Sequence, residues 1–218
     1  MSKPFFSVIV PAHNSEGYIV KCLSSIRRQT FKDYELIVVC DKCTDDTANI
    51  VARNFLRFGD KLIVTEFGMD GMARNAGIDA AEGEWILFLD DDDWWIHEYV
   101  LEQIKNALDT ILFPVDMLLF DFIWKDAPPH KSTYYVQTVD NVNIAVWSKA
   151  IRREFIGDTR FPAIQFTSDK PFMEELCKKR PVAYPLRQLM YYYNYMRKGS
   201  QTEINARPDG AVPETREE

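Results

Sequence analysis

Residues 85–95 read Trp-Ile-Leu-Phe-Leu-Asp-Asp-Asp-Asp-Trp-Trp, and the chemistry of the chain gathers there. Asp90, Asp91, Asp92 and Asp93 are consecutive carboxylates, and their mutual repulsion raises some of their pKa values unless a cation relieves it. A hard divalent ion with oxygen ligands, Mg2+ or Mn2+, is the natural partner of such a set. Acidic runs are more often solvated faces, and Asp93 could simply start a helix, where the dipole favours negative charge. Here the run is bracketed by Leu87-Phe88-Leu89 and Trp94-Trp95, which a solvated run seldom is. The preceding apolar residues read as a strand buried on both faces. The carboxylates then sit at the carboxyl end of a central strand, the edge where open α/β sheets bind ligands. A metal and diphosphate role follows.

A second reactive feature is Cys40-Asp41-Lys42-Cys43, between an expected strand and an expected helix. Thioredoxin-like redox pairs occupy that position, so a thiol redox role for Cys40/Cys43 stands beside the plainer reading of two incidental thiols. One such pair supplies only two zinc ligands, and no second pair or spaced histidine pair follows.

The elements that must position these groups alternate. Phe5 to Val10 is an expected buried strand broken by Pro11, and Ile19, Cys22, Leu23 and Ile26 recur at helical spacing. Tyr34 to Cys40 is a second strand, Ala48, Val51, Ala52 and Phe55 mark a second helix, and Leu62 to Val64 a third strand. Ala73, Ala76, Gly77 and Ala80 give the next helix a face of small residues that lets it lie close to a sheet. This is the pattern of βαβ units in a parallel sheet with helices on both faces. After the acidic run come a helix (Val100, Leu101, Ile104, Leu108) and a strand from Met117 to Trp124. The texture then loosens, with helical signals near Met173–Cys177 and an aromatic patch at 191–195. A functional boundary falls near Pro114. Residues 1–113 form one half, 114–206 a smaller and less regular second half, and 207–218 a polar tail expected to be mobile.

The 218-residue chain has a net charge of -7, which argues against a general nucleic-acid binder. No apolar stretch has membrane-spanning length and no signal peptide is read, so the expected location is cytoplasmic with free thiols. Peripheral association with the inner face of a membrane, and homodimerisation, are left open.

Taken together, these residues resemble family-2 glycosyltransferases with the GT-A fold. The likeness rests on Ser7-Val8-Ile9-Val10-Pro11-Ala12-His13-Asn14, Gln29-Thr30-Phe31, the strand 34–39, Asp41, Gly71-Met72-Ala73-Arg74-Asn75-Ala76-Gly77, Phe88 to Trp94, Ser168-Asp169 and the stretch 192–200. It implies a Rossmann-like α/β domain with a donor-binding half and an acceptor-binding half. The implied reaction moves a sugar from a nucleoside diphosphate sugar, UDP-linked in the first instance, to a hydroxyl of a glycan or lipid-linked acceptor, with inversion, in surface polysaccharide synthesis. A divalent cation, Mn2+ or Mg2+, would neutralise the leaving diphosphate. By the same resemblance Asp92 is the first choice of metal ligand and Asp93 the second. Pro11, Ala12, Asn14, Asp41, Arg74 and Asp90 line the donor pocket. Asp91 holds the variable position and goes with the donor group or with solvent. Lys198-Gly199-Ser200 would fold over the diphosphate, and Asp169 would be the base that takes the acceptor proton.

Three departures stand out. Lys42 replaces a glycine at a turn where φ > 0 is expected, Ser168 replaces a glutamate beside the base, and His13 stands where the family commonly has an aromatic or another polar residue. They keep open a nucleotide-sugar binding module without transfer activity.

Overall fold

The computed structural model describes residues 3–124, 134–135, 144–165 and 167–194. The stretch 195–200 with its expected lid, and the tail 207–218, lie outside the described residues.

Strand β1 (Phe6–Ala12), helix α1 (Ile19–Arg27), β2 (Tyr34–Asp41), α2 (Thr47–Asn54), β3 (Lys61–Thr65), α3 (Asp70–Ala80) and β4 (Trp85–Phe88) alternate as the periodicity requires. There follow β5 (Trp94–Trp95), α4 (Val100–Thr110), β6 (Met117–Trp124) and β7 (Tyr134–Tyr135). A 3-10 turn at Val146–Ser148, β8 (Lys149–Arg152), α5 (Arg153–Ile156), α6 (Asp169–Lys178) and β9 (Ala183–Tyr193) complete the order. They build a nine-stranded sheet in the order β3-β2-β1-β4-β8-β6-β9-β5, with β7 beside β6.

The first four strands of that order are parallel. Every residue of β1 and β4 is buried, which is why they read as unbroken apolar runs rather than alternations. β8 then inserts antiparallel between β4 and β6, so the sheet runs without a break across the boundary placed near Pro114. The small face of α3 does what its composition implies. A Cβ at Gly77 would lie 2.4 Å from Ile9 Cγ2, so only glycine lets the helix sit this close to β1.

Two sequence expectations change. Trp94-Trp95 is a short strand paired antiparallel with Tyr191-Tyr192, and the aromatic patch is the end of an eleven-residue strand. That pairing has no local signal, because Trp94 and Tyr192 are nearly a hundred residues apart.

Candidate functional site

The carboxyl ends of β1, β2 and β4 meet at one edge of the sheet. There Leu89 donates its N–H to Ile9 O, and the acidic run leaves the sheet in a tight turn closed by Asp93 N–H donating to Asp90 O at 3.1 Å.

The four aspartates diverge from this point. Asp90 keeps a quarter of its side chain exposed and accepts a hydrogen bond from Arg74 Nη2 at 2.7 Å. Asp91 does not turn to solvent: it is buried, and Oδ2 accepts from His13 N–H at 3.0 Å, pinning the turn after β1. Asp92 is half-buried at the rim. Asp93, expected as a second metal ligand, is fully buried. Its Oδ2 accepts from Tyr191 Oη at 2.5 Å and its Oδ1 from Asn194 N–H at 2.7 Å. Burial first, then Asp92 and Asp90, push its pKa well above the carboxylate range. Asp93 therefore anchors the acidic turn to β9 rather than facing a ligand. Asp93→Ala is expected to cost roughly 2 kcal/mol of stability in a denaturant titration, because it orphans a buried hydroxyl and a buried N–H. An unchanged midpoint would count against the anchoring role.

Arg74 links α3 to the end of β4 and the start of α6. It projects from α3, is buried, and donates to Asp70 Oδ2 at 2.5 Å as well as to Asp90. Its Nη1 lies 3.6 Å from Asp169 Oδ1. Burial would lower its pKa, but Asp169, Asp90 and Asp70 outweigh that and hold the guanidinium charged. Instead of reaching freely into the cleft for a phosphate or base, Arg74 spends its Nη atoms on carboxylates. Its Nε is buried without a hydrogen-bond partner among the described residues, so some donor capacity remains.

Asp169 opens α6, and its Oδ2 accepts from Val146 N–H at 3.1 Å. Burial raises its pKa, Arg74 pulls it down, and Asp90 raises it again; the net shift is upward. Ser168, buried beside it, donates to Asp70 Oδ2 at 3.2 Å and so fastens α6 to α3. Sequence reading missed Asp70 and Lys149. Lys149 is fully buried and donates to Ala145 O at 2.7 Å, directly behind the Val146 N–H that holds Asp169. Burial brings its pKa down to about 7. A lysine inside a short strand carries no sequence signal that would single it out.

The turns after β1 and β2 depart further from expectation. Asp41 is buried, and its carboxylate accepts from Thr65 Oγ1, Phe67 N–H and Met69 N–H at 2.7–3.0 Å. It holds the loop between β3 and α3. His13 Nδ1 donates to Asp41 O at 2.7 Å. Lys42 keeps φ at 51°, so the turn retains the left-handed shape despite losing its glycine. Asn14, also at positive φ, accepts from Thr44 N–H at 2.7 Å and ties the turns after β1 and β2 together. Pro11 and Ala12 are the buried last residues of β1.

Among the described residues no three His, Cys, Asp or Glu side chains converge on one point as a metal cage would require. Of the four aspartates, Asp90 and Asp92 are the two that keep part of their surface exposed, and both offer oxygen alone. That set fits Mg2+ or Mn2+ shared with a diphosphate, which needs only one or two protein carboxylates.

The glycosyl transferase family 2 model matches residues 7–117, just over half of the 218 residues. The chain belongs to this family. It is 31% identical over 192 residues to the putative glycosyltransferase EpsH of Bacillus subtilis, covering 86% of this chain and 52% of that protein. Over 108 residues it is 44% identical to the poly(ribitol-phosphate) beta-N-acetylglucosaminyltransferase TarS of Staphylococcus aureus, covering 48% of this chain and 19% of that one. The chain thus spans about half, or less, of the length of these relatives. The crystal structure of S. aureus TarS 1-349 in complex with UDP-GlcNAc superposes with a TM-score of 0.76 and 27% identity, over 91% of this chain and 60% of that one. The Rossmann-like GT-A sheet is common to both. No helix among the described residues is long and apolar enough to cross a membrane.

Proposed function

We propose that the chain is an inverting, metal-dependent glycosyltransferase that moves a sugar from a UDP-sugar to a hydroxyl of a glycan or lipid-linked acceptor in surface polysaccharide synthesis. The observation that carries this reading is the buried Arg74, which bridges Asp90 at the end of β4 to Asp169 at the start of α6. The donor-side carboxylates and the proposed base are thereby held on one cleft, on opposite sides of one guanidinium. The UDP-GlcNAc bound by TarS, and its poly(ribitol-phosphate) acceptor, support the donor and acceptor classes.

Asp92, with Asp90, would hold Mn2+ or Mg2+, which when bound supplies charge neutralisation for the departing diphosphate. The chain's own residues do the rest. Residues 1–113 cradle the nucleotide through the backbone at Pro11, Ala12 and Asn14, and residues 114–206 present the acceptor. Asp169 accepts the acceptor hydroxyl's proton as that oxygen attacks the anomeric carbon. Its raised pKa makes it a stronger base than an ordinary carboxylate, while the Val146 N–H fixes Oδ2 and Arg74 Nη1 stands 3.6 Å from Oδ1. Incubation with a panel of UDP-sugars, Mn2+ and polyol-phosphate or glycan acceptors is the test. UDP release and an anomerically inverted product are expected. Tight UDP binding without any transfer would leave a binding module, and retention of configuration would remove the single-displacement mechanism.

A further inference from the structure

We propose that Cys40 and Cys43 are an oxidisable dithiol at the rim of the nucleotide cleft, which peroxide converts to a disulfide that weakens nucleotide binding. Cys40 is the buried penultimate residue of β2 and Cys43 lies partly exposed across the turn. The two thiols lie three residues apart around one turn, and each is the largest single influence on the other's pKa, so joining them involves that turn alone. Cys43 Sγ, when protonated, donates to Ala12 O at 3.4 Å, and the backbone at Asn14 favours its ionised form. The Cys43 pKa falls to about 7 while Cys40 is pushed far up. One accessible, acidified thiol beside a buried resolving thiol is the arrangement that selective oxidation requires.

The chemistry balances with hydrogen peroxide as oxidant. The Cys43 thiolate attacks one peroxide oxygen, the O–O bond breaks and hydroxide leaves, giving a sulfenic acid. The Cys40 sulfur then attacks the Cys43 sulfur, the S–O bond breaks, and hydroxide departs with the Cys40 proton as water. Two thiols lose two electrons and two protons in all, and an added dithiol returns them. Closure shortens the sulfur separation to about 2.05 Å. It draws Cys43 off Ala12 O and tightens the turn through Asp41, whose carboxylate holds the loop from Thr65 to Met69 and whose carbonyl accepts from His13.

The effect on binding rests on the function proposed above, whereas the disulfide itself does not. The full chain is treated with dilute hydrogen peroxide, then mapped by mass spectrometry and titrated with UDP and Mn2+. Trypsin cuts after Lys42, so a Cys40–Cys43 disulfide holds two peptides together with the loss of two hydrogens. The expected result is that species, a fall in UDP affinity of about tenfold or more, and recovery of both with dithiothreitol. Cys43→Ser should bind UDP like the reduced parent and ignore peroxide. Oxidation at Cys22 or Cys177 with Cys40 and Cys43 still reduced would overturn the proposal. So would a Cys40–Cys43 disulfide that leaves affinity unchanged, or a Cys43→Ser protein as peroxide-sensitive as the parent. If the reduced parent binds no UDP, the functional reading fails and the peptide map alone decides the dithiol.

Discussion

Asp169→Asn is expected to lower turnover by roughly two to four orders of magnitude, the usual worth of a positioned base, while UDP affinity stays near the parent value. Asparagine keeps the size of the side chain and can still accept the Val146 N–H through its amide oxygen, so the geometry at the start of α6 survives. What it loses is the capacity to take a proton. The donor-side carboxylates cannot substitute. A carboxylate at a metal has its electron pairs drawn toward the cation, and Asp90 is engaged by Arg74. The pH dependence gives an independent reading. The base works deprotonated, and burial raises the Asp169 pKa above the ordinary carboxylate range. The parent rate should therefore fall as pH drops through that raised value, and the residual activity of Asp169→Asn should lack this acidic limb. Parent-like turnover would dismiss the assignment, as would loss of UDP binding in proportion to rate. Asp158 and Glu174, both exposed, would be the next carboxylates to test.

Asp92→Asn should remove most of the Mn2+-dependent part of UDP binding, a loss of about tenfold or more in affinity by calorimetry, with the fold intact. Asp92 is half-buried at the rim of the turn, whereas its neighbour Asp93 is sunk beneath it on Tyr191 and Asn194. Adjacent aspartates should thus separate cleanly. The Asp92 variant is expected to lose metal-dependent binding without loss of stability, and the Asp93 variant to lose stability first. In the parent, Mn2+ with UDP should also raise the unfolding midpoint, because a ligand that binds only the native state stabilises it by mass action. A variant at Asp92 that binds UDP and Mn2+ with parent affinity would refute the metal assignment.

Much of this was legible in the residues. The parallel strands β1, β2 and β4 are buried on both faces, so each writes itself as an apolar run, and the small-residue face of α3 follows from its approach to Ile9. The acidic run ends β4 as its context requires, and that alone put the carboxylates at the ligand-binding edge. What the residues could not tell is how four adjacent aspartates divide their work. Side-chain direction at a turn is set by the elements packed around it: Tyr191 and Asn194, 98 and 101 positions away, claim Asp93, and Arg74, 16 positions away on α3, claims Asp90. The same holds for Asp41, which looks like a ligand-facing turn residue until the loop after β3 folds its N–H groups onto it. Lys149 and the strand β9 were invisible for a related reason, since burial of an amine or pairing of an aromatic segment depends on what closes over it. Local pattern determined which residues reach the edge of the sheet; long-range hydrogen bonding decided which of them are buried and which stay partly exposed there.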